Sequence, residues 1–470
     1  MTIVASADKL QADRGYGYNG RIHELRATEY AHLGGNKPSL FGTDITDTIY
    51  LDHAGATPYP ISIVRDHCKD LCATLLSNPH SRSPSSIATA ERITQIRHLV
   101  LEFFNADPEN FDIVFVANAT AGIKLVADGF AGSVDGFRYN YLRDAHTSLV
   151  GVTGMARESK CLSEEEIKVW LGSTEKESLM KGLFAFPAQS NFNGRRFPLA
   201  WLKQLRDKKN GWFSLLDAAS FLTTTPLDLS DPASAPDFTV LSFYKIFGYP
   251  DLGAVIVRRD AAHVLQQRLY FGGGTRATLT ADGSHKAPHK ALHESLEDGT
   301  LPFHHVLALE SAFSNYSRLF GRQLNVARHS AAVTRLAYTL LSSLRHANGQ
   351  RVCMIYSPWN HGPIIAFNLL TATSEPMGFI SFEKEASSRG FAVRTGGMCN
   401  PGGVQHYLDL PNNELAKIFE QGKVCGDAIE VVNGKLLGVI RVSFGACSTF
   451  EDVVEFVNFV REFSAAIYRK

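Results

Sequence analysis

Lys245 stands between two apolar runs, Phe238 to Phe243 and Ala254 to Val257. Such runs read as buried strands, and an ammonium buried among them loses solvation, which favours the neutral amine. A neutral amine can condense with the aldehyde of a cofactor; a lysine snorkelling at a strand end is the plainer alternative. Asp217 follows Ser-Leu-Leu and precedes Ala-Ala-Ser. A carboxylate among such residues at a strand end calls for a cationic partner, and a protonated ring nitrogen would serve. In Asn118-Ala119-Thr120-Ala121-Gly122 small residues and a hydroxyl open a helix. That is an anion cradle for a phosphate, or an ordinary threonine cap. Lysine, acid and cradle together are what pyridoxal phosphate requires. His146, in Asp144-Ala145-His146, offers an imidazole to stack on a flat ring, a weak signal by itself.

A second cluster lies at Arg394-Thr395-Gly396-Gly397-Met398-Cys399-Asn400-Pro401-Gly402-Gly403. A cysteine in so glycine-rich a loop is expected to be mobile and exposed, and Arg394 nearby favours its thiolate. Buried, inert packing is the usual fate of cysteine, and the other six are read that way. Arg441 sits inside the apolar run Val439 to Phe444. Its fork matches the carboxylate of an amino-acid substrate, with an internal ion pair as the alternative.

These residues need a frame to hold them. Short apolar runs alternate with helical stretches from Phe111 to Val257, a βαβ rhythm that predicts a mostly parallel sheet wrapped by helices, with ligands at the carboxyl ends of its strands. Strands are expected at 111–117, 137–142, 183–186, 212–216, 238–243 and 254–257, and a helix at 148–156. Long helices follow at 306–344, then a smaller α+β unit. The expected division is an N-terminal segment, 1–47, packing on the small domain, a large domain, 48–305, and a small C-terminal domain, 306–470.

The 470 residues carry 47 basic and 47 acidic side chains, a balance that gives no reason to expect nucleic acid or a membrane surface as partner. No run reaches the length of a transmembrane helix, and the N-terminal apolar stretch is short for a secretory signal. Seven scattered cysteines suggest neither a disulfide framework nor a zinc site. A reducing, cytoplasmic setting is expected.

Six segments taken together resemble the class V aminotransferase-like enzymes of fold type I, and within them the cysteine desulfurases, nearest to the desulfurase-like part of the molybdenum cofactor sulfurases. They are Y-L-D-H-A-G-A-T-P-Y-P (50–60), S-N-P-H-S (77–81), V-F-V-A-N-A-T-A-G-I-K-L-V-A (114–127), S-F-Y-K-I-F-G-Y-P-D-L-G (242–253), E-D-G-T (297–300) and R-T-G-G-M-C-N-P-G-G (394–403). The resemblance implies an α/β large domain with a mostly parallel seven-stranded sheet, and a homodimer. It implies that Lys245 holds pyridoxal 5'-phosphate, His146 stacks on its ring, Asp217 meets the ring nitrogen and Asn191 lies near the ring hydroxyl. Ala119, Thr120, Ser242 and Tyr244 surround the phosphate, with Thr300 reaching the cofactor of a neighbouring subunit. Arg441, with Arg394 and Asn191, meets the substrate, and Cys399 carries the sulfur.

Three departures stand out. Gly397 and Val404 occupy places where relatives often carry further cysteines. Ser220 replaces a frequent glutamine, and Tyr244 a frequent histidine. A full sulfurase would also continue past position 470 into a further domain, so the chain is either part of one or a stand-alone enzyme with another acceptor.

The implied activity removes sulfur from L-cysteine as a persulfide on Cys399, releases L-alanine and passes the sulfur to an acceptor, the molybdenum cofactor or a protein carrying it. The alternatives are another reaction on the same scaffold, a C–S lyase, racemase or decarboxylative carbon–carbon bond former of secondary metabolism, or a cofactor-bearing carrier without turnover.

Overall fold

The computed structural model describes residues 15–34, 48–174, 179–424 and 429–466. Its large sheet has seven strands. From one edge they run Phe111–Val116, Gly253–Arg258, Phe238–Ser242, Trp212–Asp217, Lys181–Pro187, Phe137–Leu142 and Glu158–Leu162. Gly253–Arg258 is antiparallel to both neighbours and every other pairing is parallel. The expected mostly parallel α/β sheet is present. The central strand Phe238–Ser242 is buried end to end, and its neighbours at all but one position each, because helices cover both faces. The helix Ala119–Ala131 lays Ile123, Val126 and Phe130 on Val240, Val255 and Val257.

Two features differ from the sequence reading. Glu158–Leu162 is a strand in a polar, exposed stretch; as the outermost strand it needs no apolar face, so it leaves no hydrophobic pattern to read. The stretch expected as the helix 148–156 is one short helical turn, Thr147–Val150, followed by a 3₁₀ turn, Gly151–Gly154.

The smaller unit has a four-stranded antiparallel sheet in the order Cys353–Ile355, Ile364–Leu369, Val439–Ser443 and Arg394–Gly396. The helices Gln323–Ser343 and Phe450–Ala466 pack on it through Leu336, Leu340, Phe456 and Val460. The helix Phe303–Phe320 buries Val306, Leu309, Tyr316 and Phe320 in the large core, while the next helix enters the small core at Ala332, beside Leu51. The apolar faces of Phe303–Phe320 select the large domain, which helical periodicity alone does not reveal. The described part of the N-terminal segment spans both units. Leu25 and Tyr30 enter the large core, while Tyr16 stacks on Phe450 at 3.6 Å and Arg26 pairs with Asp452 at 3.1 Å.

That junction buries two histidines. His329 accepts at Nδ1 from the Gly17 N–H, 3.0 Å, and its Nε2 lies 2.9 Å from the Ser448 carbonyl. His53 lies 3.1 Å from the Ser448 hydroxyl. Burial pushes His329 down to about 4 and His53 down to about 3. Both are neutral when folded, whereas the unfolded chain takes up protons below the ordinary histidine value, so stability is whole above about pH 7 and falls as pH drops through about 6.5 toward 4. Each should cost about 1.6 kcal/mol between pH 6.5 and 5, the slope rising from half of ~1.4 kcal/mol per unit at pH 6.5 toward the full value. Urea unfolding at both pH values measures the loss, and His329→Gln should remove its share of the slope.

Candidate active site

The strand Phe238–Ser242 ends in a single helical turn, Phe243–Phe247, which carries Lys245. Gly248 closes the turn in the left-handed region, φ 81°, where a side chain would strike the backbone of Thr57 and Tyr59. The Thr57 hydroxyl donates to the Lys245 carbonyl at 2.7 Å, so the A-G-A-T-P segment fixes the lysine's backbone. Burial lowers the Lys245 amine below the ordinary lysine value; Asp217 pulls it up, and Arg441 and Arg394 press it further down.

Asp217 ends the strand Trp212–Asp217 and is 8% exposed. Its Oδ1 accepts from the Ala219 N–H at 3.0 Å. His146 precedes the turn Thr147–Val150 and accepts at Nδ1 from the Ser148 N–H, 3.1 Å. With Nδ1 used as acceptor, the neutral ring carries its proton on Nε2. Burial lowers His146, while Asp217 raises it and Lys245 lowers it, so the three groups share one electrostatic field.

At the other end of the same cleft, Asn118 caps the helix Ala119–Ala131 by accepting from the Ala121 N–H at 3.0 Å. The Ala119 N–H donates to the Ser242 hydroxyl at 3.0 Å, and the Thr120 and Ser148 hydroxyls lie 2.8 Å apart. The half-buried Tyr244, raised by burial, lines the cleft beside Lys245. A primary amine depressed by burial, a buried carboxylate and a helix start with hydroxyls converge on one cleft; that donor set fits pyridoxal phosphate. Thr300 lies outside this cleft, exposed, with the Asn78 amide 3.5 Å from its hydroxyl.

Cys399 is exposed, but its loop is not the free one that its glycines suggest. The Cys399 carbonyl accepts from the Thr147 N–H at 2.8 Å, directly after His146. Asn191 donates to the Met398 carbonyl at 2.7 Å, and its Oδ1 accepts from Asn400 at 3.1 Å. Asn191, expected at a ring hydroxyl, lines the cleft and also ties the cysteine turn to it. Gly402 serves close approach, since a methyl there would collide with the Arg143 carbonyl.

Arg441 is 2% exposed. It donates to Asp52 Oδ1 at 2.6 Å and to the Asn191 carbonyl at 2.8 Å. The internal ion pair is present. Its Nε is buried without a hydrogen-bond partner among the described residues. Arg394 lies directly opposite it in the sheet and is exposed.

Sequence reasoning passed over Asp52, which pairs with Arg441, and Gln189, which lines the cleft and donates to the Ser220 carbonyl at 3.1 Å. It also passed over Asp144 and Asn400, which hydrogen-bond to each other at 2.6 Å. These contacts join positions far apart in the chain, and only the motif strings around them hinted at importance. Among the described residues no group of three or more His, Cys, Asp or Glu could hold a metal ion, and no helix is long and apolar enough to cross a membrane.

The chain is similar to molybdenum cofactor sulfurases of Chaetomium globosum, 47% identical over 95% of this chain and 58% of the relative, and of Botryotinia fuckeliana, 46% over 95% and 56%. It thus spans little more than half the length of these curated relatives. Among solved structures, the apo cysteine desulfurase of Thermococcus onnurineus superposes with a TM-score of 0.73 at 17% identity, covering 94% of this chain and 98% of that one. The cysteine desulfurase CsdA of Escherichia coli gives 0.69 at 18%, covering 95% and 98%. At such identities the likeness concerns the fold, that of fold-type I enzymes. The family model for aminotransferase class-V matches residues 49–456, and with nearly the whole described fold inside that match, this chain belongs to the class-V aminotransferase family.

Proposed function

We propose that the chain is a pyridoxal phosphate-dependent cysteine desulfurase that takes sulfur from L-cysteine onto Cys399, releases L-alanine and delivers the sulfur to the molybdenum cofactor or a protein carrying it. The observation that carries the reading is the meeting of Lys245, Asp217 and His146 in one cleft with the Cys399 turn hydrogen-bonded to the residue after His146. The sulfurase relatives support the acceptor.

Lys245 would hold the cofactor aldehyde, Asp217 the ring nitrogen, His146 the ring face, and Ala119, Thr120, Ser242 and Tyr244 the phosphate. When bound, pyridoxal phosphate supplies an electron sink for the charge that develops at the substrate α-carbon. Asp217 keeps a proton on the ring nitrogen, the condition for that sink. Arg394, exposed beside the paired Arg441, offers its guanidinium to the substrate carboxylate, and the Arg441–Asp52 pair braces the strand it stands on. The Lys245 amine, made less basic by burial, takes the proton from the α-carbon. The Cys399 thiolate attacks the substrate sulfur: the S–S bond forms, the C–S bond breaks, and the substrate β-carbon is protonated. L-Cysteine and one thiol become L-alanine and one persulfide.

Thr300, outside the cleft of its own chain, suits a homodimer in which it reaches the partner's cofactor; exposed Leu269 and Tyr270, 77% and 75%, suit burial there. The six described cysteines are all free, in keeping with a reducing, cytoplasmic setting.

Incubating the cofactor-loaded protein with L-cysteine tests the reading. One equivalent of alanine and a persulfide mapped to Cys399 are expected. Cys399→Ala should keep the cofactor absorbance while persulfide falls to background and alanine formation drops at least about 100-fold, as expected for loss of a covalent nucleophile. Sulfide with pyruvate and ammonia in place of alanine, formed by this variant as fast as by the parent, would favour a C–S lyase.

A further inference from the structure

Resting on the reading of Cys399 as the sulfur acceptor, we propose that Asp144 is a positioning residue: its carboxylate, acting through Asn400, latches the turn that carries the thiol onto the loop that carries His146. The turn needs a latch. Met398 and Cys399 both take left-handed backbone angles, φ 57° and 51°, a conformation that costs a residue with a side chain roughly 1–2 kcal/mol and persists only where its surroundings impose it. Asn400, 1% exposed, supplies the imposition. Its Nδ2 donates to Asp144 Oδ1 at 2.6 Å and to Asn191 Oδ1 at 3.1 Å, and its Oδ1 accepts from the Gly403 N–H at 2.8 Å, capping the helix Pro401–Tyr407. One side chain thereby joins the cysteine turn, the helix after it and the loop before His146.

Asp144 is the fixed end. Its Oδ1 also accepts from the Ser190 hydroxyl at 2.7 Å, which ties it to the segment of Asn191. Its Oδ2 is buried and finds no hydrogen-bond partner among the described residues. Burial raises this carboxyl above the ordinary aspartate value, and the Ser190 and Asn400 contacts offset part of the rise. A carboxyl kept at that cost, with one oxygen serving two donors, acts as an anchor for the Asn400 amide rather than as a solvated charge. Asp144 touches neither cleft nor thiol, so it acts by position. Misplacing a nucleophile by about 1 Å can cost ~100-fold.

The test uses the pyridoxal phosphate-loaded protein. Asn400→Asp keeps the cap for the Gly403 N–H but sets a carboxylate against Asp144. The first-order rate of Cys399 persulfide formation should fall 10- to 100-fold, with cofactor absorbance and half-saturating L-cysteine within twofold of the parent. Hydrogen exchange at the Thr147 amide should accelerate at least tenfold. The reciprocal pair Asp144→Asn with Asn400→Asp, which restores a donor and an acceptor in exchanged places, should return both readouts to within about threefold. Asp144→Ala removes the acceptor from the opposite side, should reproduce the single-variant pattern, and decides the matter if Asn400→Asp does not fold. Parental rates in the single variants, a reciprocal pair no better than its parts, or a loss shared equally by cofactor retention would each overturn the latch. If the parent itself forms no persulfide, the desulfurase reading fails; the exchange measurement still judges the latch.

Discussion

Lys245→Ala is expected to stop release of alanine from L-cysteine, leaving turnover at least about 1,000-fold below the parent, since one group supplies both attachment and proton transfer. The protein should otherwise stay intact. The hydrogen bond from Thr57 reaches the Lys245 carbonyl, not its side chain, so the turn Phe243–Phe247 keeps its anchor and the melting temperature should move by only a few degrees. Lys245→Arg should be equally inactive, because a guanidinium has no accessible neutral form near neutral pH. Amino-acid analysis for alanine and the visible spectrum of the loaded protein give the readings. Turnover in either variant within tenfold of the parent would contradict the role assigned to this amine.

The largest effect on stability is expected at Glu297, in the E-D-G-T motif. Its carboxylate accepts two bonds from Arg97, 2.8 and 2.5 Å, and one from the Phe115 N–H, 2.7 Å. Arg97 also donates to the Ile113 carbonyl at 2.8 Å. Phe111–Val116 is the edge strand of the large sheet, and this pair satisfies backbone groups that its open side leaves unpaired. Both side chains are under 10% exposed. Glu297→Ala strands a buried guanidinium and should cost about 3–5 kcal/mol; Glu297→Gln, which keeps an acceptor, should cost less. Urea unfolding monitored by tryptophan fluorescence measures both, and a loss under 1 kcal/mol for the alanine variant would show that the pair relaxes into water instead.

Much of this site could be read from the chain before folding. Lys245, Asp217 and the helix start at Ala119 each follow an apolar strand, and a parallel sheet delivers strand ends to one side. Local sequence signals therefore sufficed for them. The cysteine turn shows where such signals stop. Its glycines read as mobility, yet Gly402 is small because the Arg143 carbonyl lies against it, and that neighbour comes from the far side of the sheet order. Asn191 and Arg441 were assigned to ligands by motif, while their present partners, the Met398 carbonyl and Asp52, are fixed only by tertiary packing. The helix Phe303–Phe320 makes the same point: periodicity identifies an apolar face without saying which core receives it.

Because the Met398 and Cys399 carbonyls and the Asn400 side chain are each tied to a different neighbour, a sulfur atom taken up there, as proposed, would have little freedom to travel. Under the proposed desulfurase reading, delivery would then work by docking, the recipient coming to the exposed thiol rather than the donor swinging toward it.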